Sequence, residues 1–248
     1  MAMLEKAIEI QTPDGTVDGF LFQPEAAGKW PGAIHLTDIG GIRPSERQMA
    51  SRLSGEGYVV LLPNIFYRVG RPPIIEYPLK MSDEKTKERV GELRASLPPA
   101  AVERDAAAYV DFLAKQDSVG SAKFGVVGYC LSGSMALRAA AARPDKIAAV
   151  ASFHGGWLYT DAPDSPHTIL PRVKAQLYFG HAVNDRSMPK EAIEKFEQAL
   201  AAWGGKYESE TYDRCLHSWT TPDSPVYNPE AASRAFAKLT ALFASALS

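Results

Sequence analysis

The sequence predicts an α/β protein in three layers, a mostly parallel central sheet with helices on both faces. Three observations carry this. Short apolar runs of strand character alternate with stretches of helical spacing along the whole chain. The run Tyr58–Leu62 is almost continuously apolar, as a strand buried on both faces must be. Phe124–Val127 leads through Gly128-Tyr129-Cys130-Leu131-Ser132-Gly133 into an alanine-rich stretch, a strand–turn–helix junction.

Taken in order, Leu4–Gln11 and Val17–Gln23 read as a hairpin around Thr12-Pro13-Asp14-Gly15-Thr16, which places antiparallel strands at one edge of the sheet. Gly32–Thr37 is the next strand. Ser45 followed by Gln48 has the spacing of a capping box, for a helix ending near Gly57. Val102, Ala106, Tyr109, Val110 and Leu113 keep helical spacing. Strands follow at Phe124–Val127, Ile147–Phe153, Ala175–Gly180 and Tyr207–Tyr212, with an amphipathic helix marked by Ile193, Phe196, Leu200 and Trp203. Asn228-Pro229 opens a last helix, a cap followed by proline at the first helical position, with Phe236, Leu239, Phe243 and Leu247 on its inner face. There are no repeats or linkers, and 1–248 reads as one domain, a length usual for a single α/β unit. Residues 68–99 are the least regular part, rich in proline and charge. They read either as a cap or lid over a site or as a solvated loop with a polar helix from Asp83 to Leu97.

Cys130 stands at the tip of the strand–turn–helix junction, in the position of a nucleophile elbow. Gly128, Ser132 and Gly133 are small enough to let strand and helix close on one another. The helix N-terminus beneath the turn offers free N–H groups and partial positive charge, which stabilise a thiolate and an oxyanion. The same cysteine also suits a buried structural role. What favours chemistry is the order of residues downstream. Asp185 follows the strand Ala175–Gly180, and His217 follows Tyr207–Tyr212. Cys130, Asp185 and His217 thus each fall at the C-terminal end of a predicted strand, where open α/β sheets place their ligand sites. An imidazole to move protons and a carboxylate to fix its tautomer are what an elbow nucleophile needs. His181 precedes Asp185, against that order. His154 either lines the pocket or is a hydrogen-bonded structural histidine.

The chain resembles the dienelactone hydrolase family of α/β-hydrolases, most closely at Gly128-Tyr129-Cys130-Leu131. The likeness extends through Thr37–Gly41, Pro63–Arg68, the charged run Asp83–Glu88, Asp185 and His217-Ser218-Trp219. It implies the α/β-hydrolase fold and a cysteine hydrolase of lactones or activated esters, with Cys130, Asp185 and His217 as triad. Three positions depart from the family. Ser132 stands where the family has glycine, Asp38 where it has a glutamate that contacts the resting thiol, and Lys87 where an arginine meets the substrate carboxylate. On this reading Asp38 assists His217 or holds the thiol. The N–H groups of Leu131 and Ile39 form the oxyanion hole by position. Arg68 and Lys87 are candidates for binding a substrate carboxylate, and Trp219 for shaping the pocket, though surface charge and packing are the ordinary roles of such residues. The expected course is thiolate attack, a thioester, and hydrolysis by water activated by His217.

Composition narrows the setting. A net charge of −2 gives no reason to expect nucleic acid or an anionic membrane as partner. Two cysteines are not a disulfide framework, and no apolar run approaches a membrane span. The first residues carry no apolar signal core, so a reducing, cytoplasmic protein is expected, a monomer or homodimer acting on a small ester or lactone. No cofactor is called for, and neither His-Glu-x-x-His nor Cys-x-x-Cys occurs. Two other functions fit the same residues: an acyltransferase resolving the same thioester with an alcohol or amine, and a non-catalytic ligand-binding protein of this fold. A dinucleotide-binding protein fits poorly, because Gly125-x-x-Gly128 is not the glycine fingerprint of that class.

Overall fold

A computed structural model describes residues 2–247. Its strands are β1 (Met3–Thr12), β2 (Gly15–Pro24), β3 (Trp30–Leu36), β4 (Val59–Pro63), β5 (Val119–Tyr129), β6 (Ile147–Phe153), β7 (Gln176–Ala182) and β8 (Tyr207–Tyr212). Its helices are α1 (Pro44–Gly55), α2 (Glu84–Ala95), α3 (Pro99–Leu113), α4 (Ser132–Ala142), α5 (Lys190–Trp203) and α6 (Pro229–Leu247), with a short 3₁₀ turn at Pro166–Arg172.

The strands form one sheet in the order β1-β2-β4-β3-β5-β6-β7-β8. β1 pairs with β2, and β2 with β4, antiparallel; all other pairings are parallel. The N-terminal hairpin therefore occupies one edge, as expected. From β3 the chain steps outward to β4, and from β5 it steps the other way to β6. The crevice between the C-terminal ends of β3 and β5 is thus a topological switch point, where such sheets bind ligands. His35 pairs with Val127 and Leu36 with Gly128, so β3 and β5 end side by side.

Alternation within the strands builds two cores. Ile34, Leu36, Val59, Leu61, Val126 and Val150 face one side, under α2 to α5. Ala33, Val60, Leu62, Val127, Ala149 and Ala151 face the other, under α1 and α6. That is why the strands read as continuous apolar runs: both faces are covered.

Two local expectations are corrected. Ser45 does not cap α1. Pro44 takes the first helical position after Arg43, and the Ser45 hydroxyl donates to Asp223 Oδ2 at 2.9 Å. Phe236 is only half-buried, with the Arg52 guanidinium stacked 3.8 Å over its ring. The polar helix expected from Asp83 to Leu97 is α2; the Asp83 carboxylate caps it by accepting from the Thr86 N–H at 3.0 Å, and Val90 and Leu93 bury its inner side.

Candidate active site

β5 delivers Cys130 into a turn so tight that Gly128 and Gly133 have no room for a side chain. A Cβ on Gly128 would lie 2.1 Å from the Ser132 carbonyl oxygen, and one on Gly133 would lie 2.3 Å from Ser152 Oγ. Cys130 itself is held at φ 57°, a left-handed conformation unusual for a residue with a side chain. Ser132 pins the turn. Its Oγ accepts from the Tyr129 N–H at 2.8 Å and stands 2.9 Å from the Leu36 carbonyl, tying the elbow to the end of β3.

β7 and β8 bring the other two residues in. Asp185 Oδ2 lies 2.5 Å from His217 Nδ1. Asp185 Oδ1 accepts from the Ser187 hydroxyl (2.7 Å) and the Ser187 N–H (2.8 Å), so the carboxylate cannot rotate away. Burial opposes the charge on Asp185, but the bonds from His217 and Ser187 more than offset it and hold the carboxyl below its usual range. Burial likewise opposes charge on His217. The Cys130 sulfur on one side and the Asp185 carboxylate on the other outweigh it, and push the imidazole up to about 10. His217, bonded to Asp185, and Cys130 line the same cleft.

His154 is part of the scaffold beneath. Its Nδ1 accepts from the Cys130 N–H at 3.1 Å, so its Nε2 donates to Thr220 Oγ1 at 2.7 Å. Burial, and then the neighbouring His217, drive it well below the usual value, and it stays neutral. His181 is buried too and is pushed down to about 4 by burial. The N–H groups of Leu131 and Ile39 find no acceptor within the chain among the described residues, and both residues lie at the switch point.

The cleft above Cys130 has two chambers that meet at Cys130, His217 and Arg94. One, of about 330 Å³, is largely apolar, with Ile39, Tyr77, Leu79, Met81 and Val90. The other, of about 480 Å³, is lined by Trp157, Asn184, Asp185, Arg186 and Ser187.

Over residues 17–247 the sequence matches the dienelactone hydrolase family. The chain belongs to that family. A carboxymethylenebutenolidase of Rhodococcus opacus is 29% identical over 228 residues, 87% of this chain and 82% of that protein. A Synechocystis protein provisionally given the same name is 28% identical over 242 residues, 93% and 92% of the two chains. A crystal structure from Klebsiella pneumoniae, provisionally described as a dienelactone hydrolase, superposes with a TM-score of 0.87 at 23% identity, covering 98% of this chain and 99% of that one. The likeness in structure establishes the α/β-hydrolase fold, and membership of the family makes the chain a hydrolase of ester bonds.

Against the expectations drawn from the dienelactone hydrolase family, the structure sorts the remaining residues plainly. The Asp38 carboxylate makes no hydrogen bond to the thiol among the described residues; it is taken by Arg43 in a two-pronged pair (2.7 and 2.8 Å). Arg68 lies away from the cleft, its fork spent on Asp105 (2.8 Å to each oxygen) and Asp14 (2.7 Å). Lys87 is on the outer side of α2, paired with Glu84 at 2.6 Å. Trp219 is fully buried behind the site, stacked on Tyr212 with ring centroids 4.3 Å apart, and lines neither chamber. Cys215 is a free, buried neighbour beside Asn228. Sequence reasoning missed Arg43, Tyr77 and Arg94, which carry no local signal. Ser187 was missed as well, though Asp185 itself is the signal, since an aspartate side chain commonly accepts from the backbone N–H two residues on. No described helix is long and apolar enough to cross a membrane.

Proposed function

We propose that the chain hydrolyses lactones or activated carboxylic esters through Cys130, with His217 as proton carrier and Asp185 as its orienting partner. The observation that carries this reading is that Cys130, held at φ 57°, and His217, whose Nδ1 lies 2.5 Å from Asp185, line one cleft. His217 takes the thiol proton and the sulfur attacks the carbonyl carbon. The carbonyl oxygen becomes an oxyanion held by the N–H groups of Leu131 and Ile39. Collapse expels the alkoxide or enolate, which receives the proton from His217, and a thioester remains on Cys130. Water, losing a proton to His217, adds to the thioester and releases the acid and the thiol. A thioester route suits enol and strained-lactone leaving groups better than amides.

The two chambers support a substrate that straddles Cys130, with one part toward Tyr77 and Met81 and the other toward Asn184 and Arg186. The carboxymethylenebutenolidase names of the relatives agree with a small lactone substrate. Residues 68–99 fit a cap, since Tyr77, Met81, Val90 and Arg94 all border the cleft. The test is turnover of p-nitrophenyl acetate and of a dienelactone by wild type and Cys130→Ala, with mass spectrometry of the protein. Loss of at least about 10³-fold in Cys130→Ala, with an acyl adduct trapped on Cys130 in the wild type, is expected. Undiminished turnover in Cys130→Ala would overturn the reading.

A further inference from the structure

The loop between β3 and α1 has no secondary structure, yet one side chain ties it from both ends. Arg43 donates from Nη1 to Asp38 Oδ1 (2.7 Å) and to the Gly41 carbonyl (3.2 Å), and from Nη2 to Asp38 Oδ2 (2.8 Å). Within the loop, Asp38 Oδ1 also accepts from the Gly40 N–H (2.8 Å), and the Asp38 carbonyl accepts from the Gly41 N–H (3.1 Å). Ile39 sits inside this closed turn. The Asp38 carbonyl and the Ile39 N–H belong to one planar trans peptide and point in opposite directions. Pinning the carbonyl to Gly41 therefore fixes where the Ile39 N–H points, and that N–H has no acceptor among the described residues.

Arg43 is itself immobilised. Asp223 accepts from Nε at 2.8 Å, the guanidinium lies 3.9 Å over the Tyr77 ring, and Glu46 Oε1 is 3.4 Å away. Burial disfavours its charge, but the Asp38 carboxylate more than restores it. The two glycines are what let it approach: a Cβ on Gly40 would lie 2.6 Å from Arg43 Nη1, and Gly41 adopts φ 66°.

We propose that Arg43 is a positioning residue for ester hydrolysis, acting through Asp38 and the Gly41 carbonyl to aim the Ile39 N–H at the oxyanion. This rests on the reading of Cys130 as nucleophile and Ile39 as oxyanion donor. Lysine cannot substitute, because a single ammonium cannot grip both Asp38 oxygens and the Gly41 carbonyl in one plane.

The test compares wild type, Arg43→Lys and Arg43→Met in three assays: hydrolysis of p-nitrophenyl acetate, inhibition by a small trifluoromethyl ketone, and alkylation of Cys130 by iodoacetamide. The ketone forms a tetrahedral adduct that needs the oxyanion donors; alkylation needs the thiol and His217 only. The expected result is a fall in kcat/KM of about 10²-fold in both variants, with ketone affinity falling in parallel and alkylation within about twofold of wild type. The proposal is overturned if either folded variant hydrolyses the ester within about threefold of wild type, or if alkylation falls together with hydrolysis, which would mark a collapsed site. Should Arg43→Met not fold, Arg43→Lys, which keeps the charge, decides alone. Hydrolysis that survives in Cys130→Ala would sink the underlying reading instead, whatever the Arg43 variants do.

Discussion

Cys130, His154, Trp157, Asn184, Arg214 and Ser218 are the described non-glycine residues with positive φ, and each lies in a loop directly after β5, β6, β7 or β8. Such conformations cost on the order of 1–3 kcal/mol each, so a fold keeps them only where surrounding bonds enforce them. Here the bonds are visible: the Cys130 carbonyl accepts from the Gly133 and Gly156 N–H groups, and the His154 N–H donates to the Gly180 carbonyl at 2.7 Å. The electrostatics of His217 add a pH signature. Its folded value is raised to about 10 from the ordinary 6.5, so the charged ring stabilises the fold fully below 6.5, and that contribution is lost as pH rises through about 10. Asp185 is depressed, so its contribution is present at neutral pH and is lost as pH falls through the carboxylate range. The Tm difference between wild type and His217→Gln should therefore be largest near about pH 6 and shrink steadily toward about pH 10.5. A difference that grows across that interval would contradict the ion pair.

α6 is the element that seals the face of the sheet opposite α4. Its Phe243 is fully buried, meets Tyr58 edge to face at 5.7 Å, and presses on the strand that carries the elbow; a Cβ on Gly125 would lie 2.6 Å from its ring. Gly125 is thus an accommodation for Phe243, not part of a phosphate-binding loop. Phe243→Ala should cost about 3–5 kcal/mol, read as a fall in the urea midpoint at unchanged m-value. A loss under about 1 kcal/mol would mean that the ring is not what anchors α6. At this scale the sequence was informative. Ile147–Phe153 and Tyr207–Tyr212 end where the strands end, because both are bounded by turn residues. α1 was harder: Ser45 and Gln48 have capping-box spacing, but Asp223, from far along the chain, claims the hydroxyl.

Across the molecule, order is uneven. The central strands β3, β5 and β6 are paired on both sides and covered on both faces. Residues 71–82, by contrast, form no described helix or strand, and the backbone bond at their end runs from the Asp83 N–H to the Lys80 carbonyl. They are held chiefly by side chains, as where Ile74 is buried and Arg89 donates to its carbonyl at 3.0 Å. Native-state amide exchange should therefore be slowest at Val126, Val127 and Val150 and at least about 10³-fold faster across 75–82. Equal protection in both regions would show that the roof of the cleft is as rigid as the sheet.

The sequence by itself determined the alternation of strands and helices, the antiparallel edge, the elbow at Cys130 and the placing of Asp185 and His217 after strands. Each of these depends on short-range facts: side-chain period, turn residues, and the steric need for glycine. Tertiary structure alone decided which charges reach the cleft. Arg68, one of the two expected carboxylate binders, is claimed by Asp105 and Asp14, while Arg94 borders the cleft and Arg43 ties the loop that carries Ile39. Asp38 and Asp223 are 185 positions apart in the chain and share one guanidinium. No local pattern encodes such a pairing, because an ion pair stabilises only when the fold has already brought its partners together and removed the water between them.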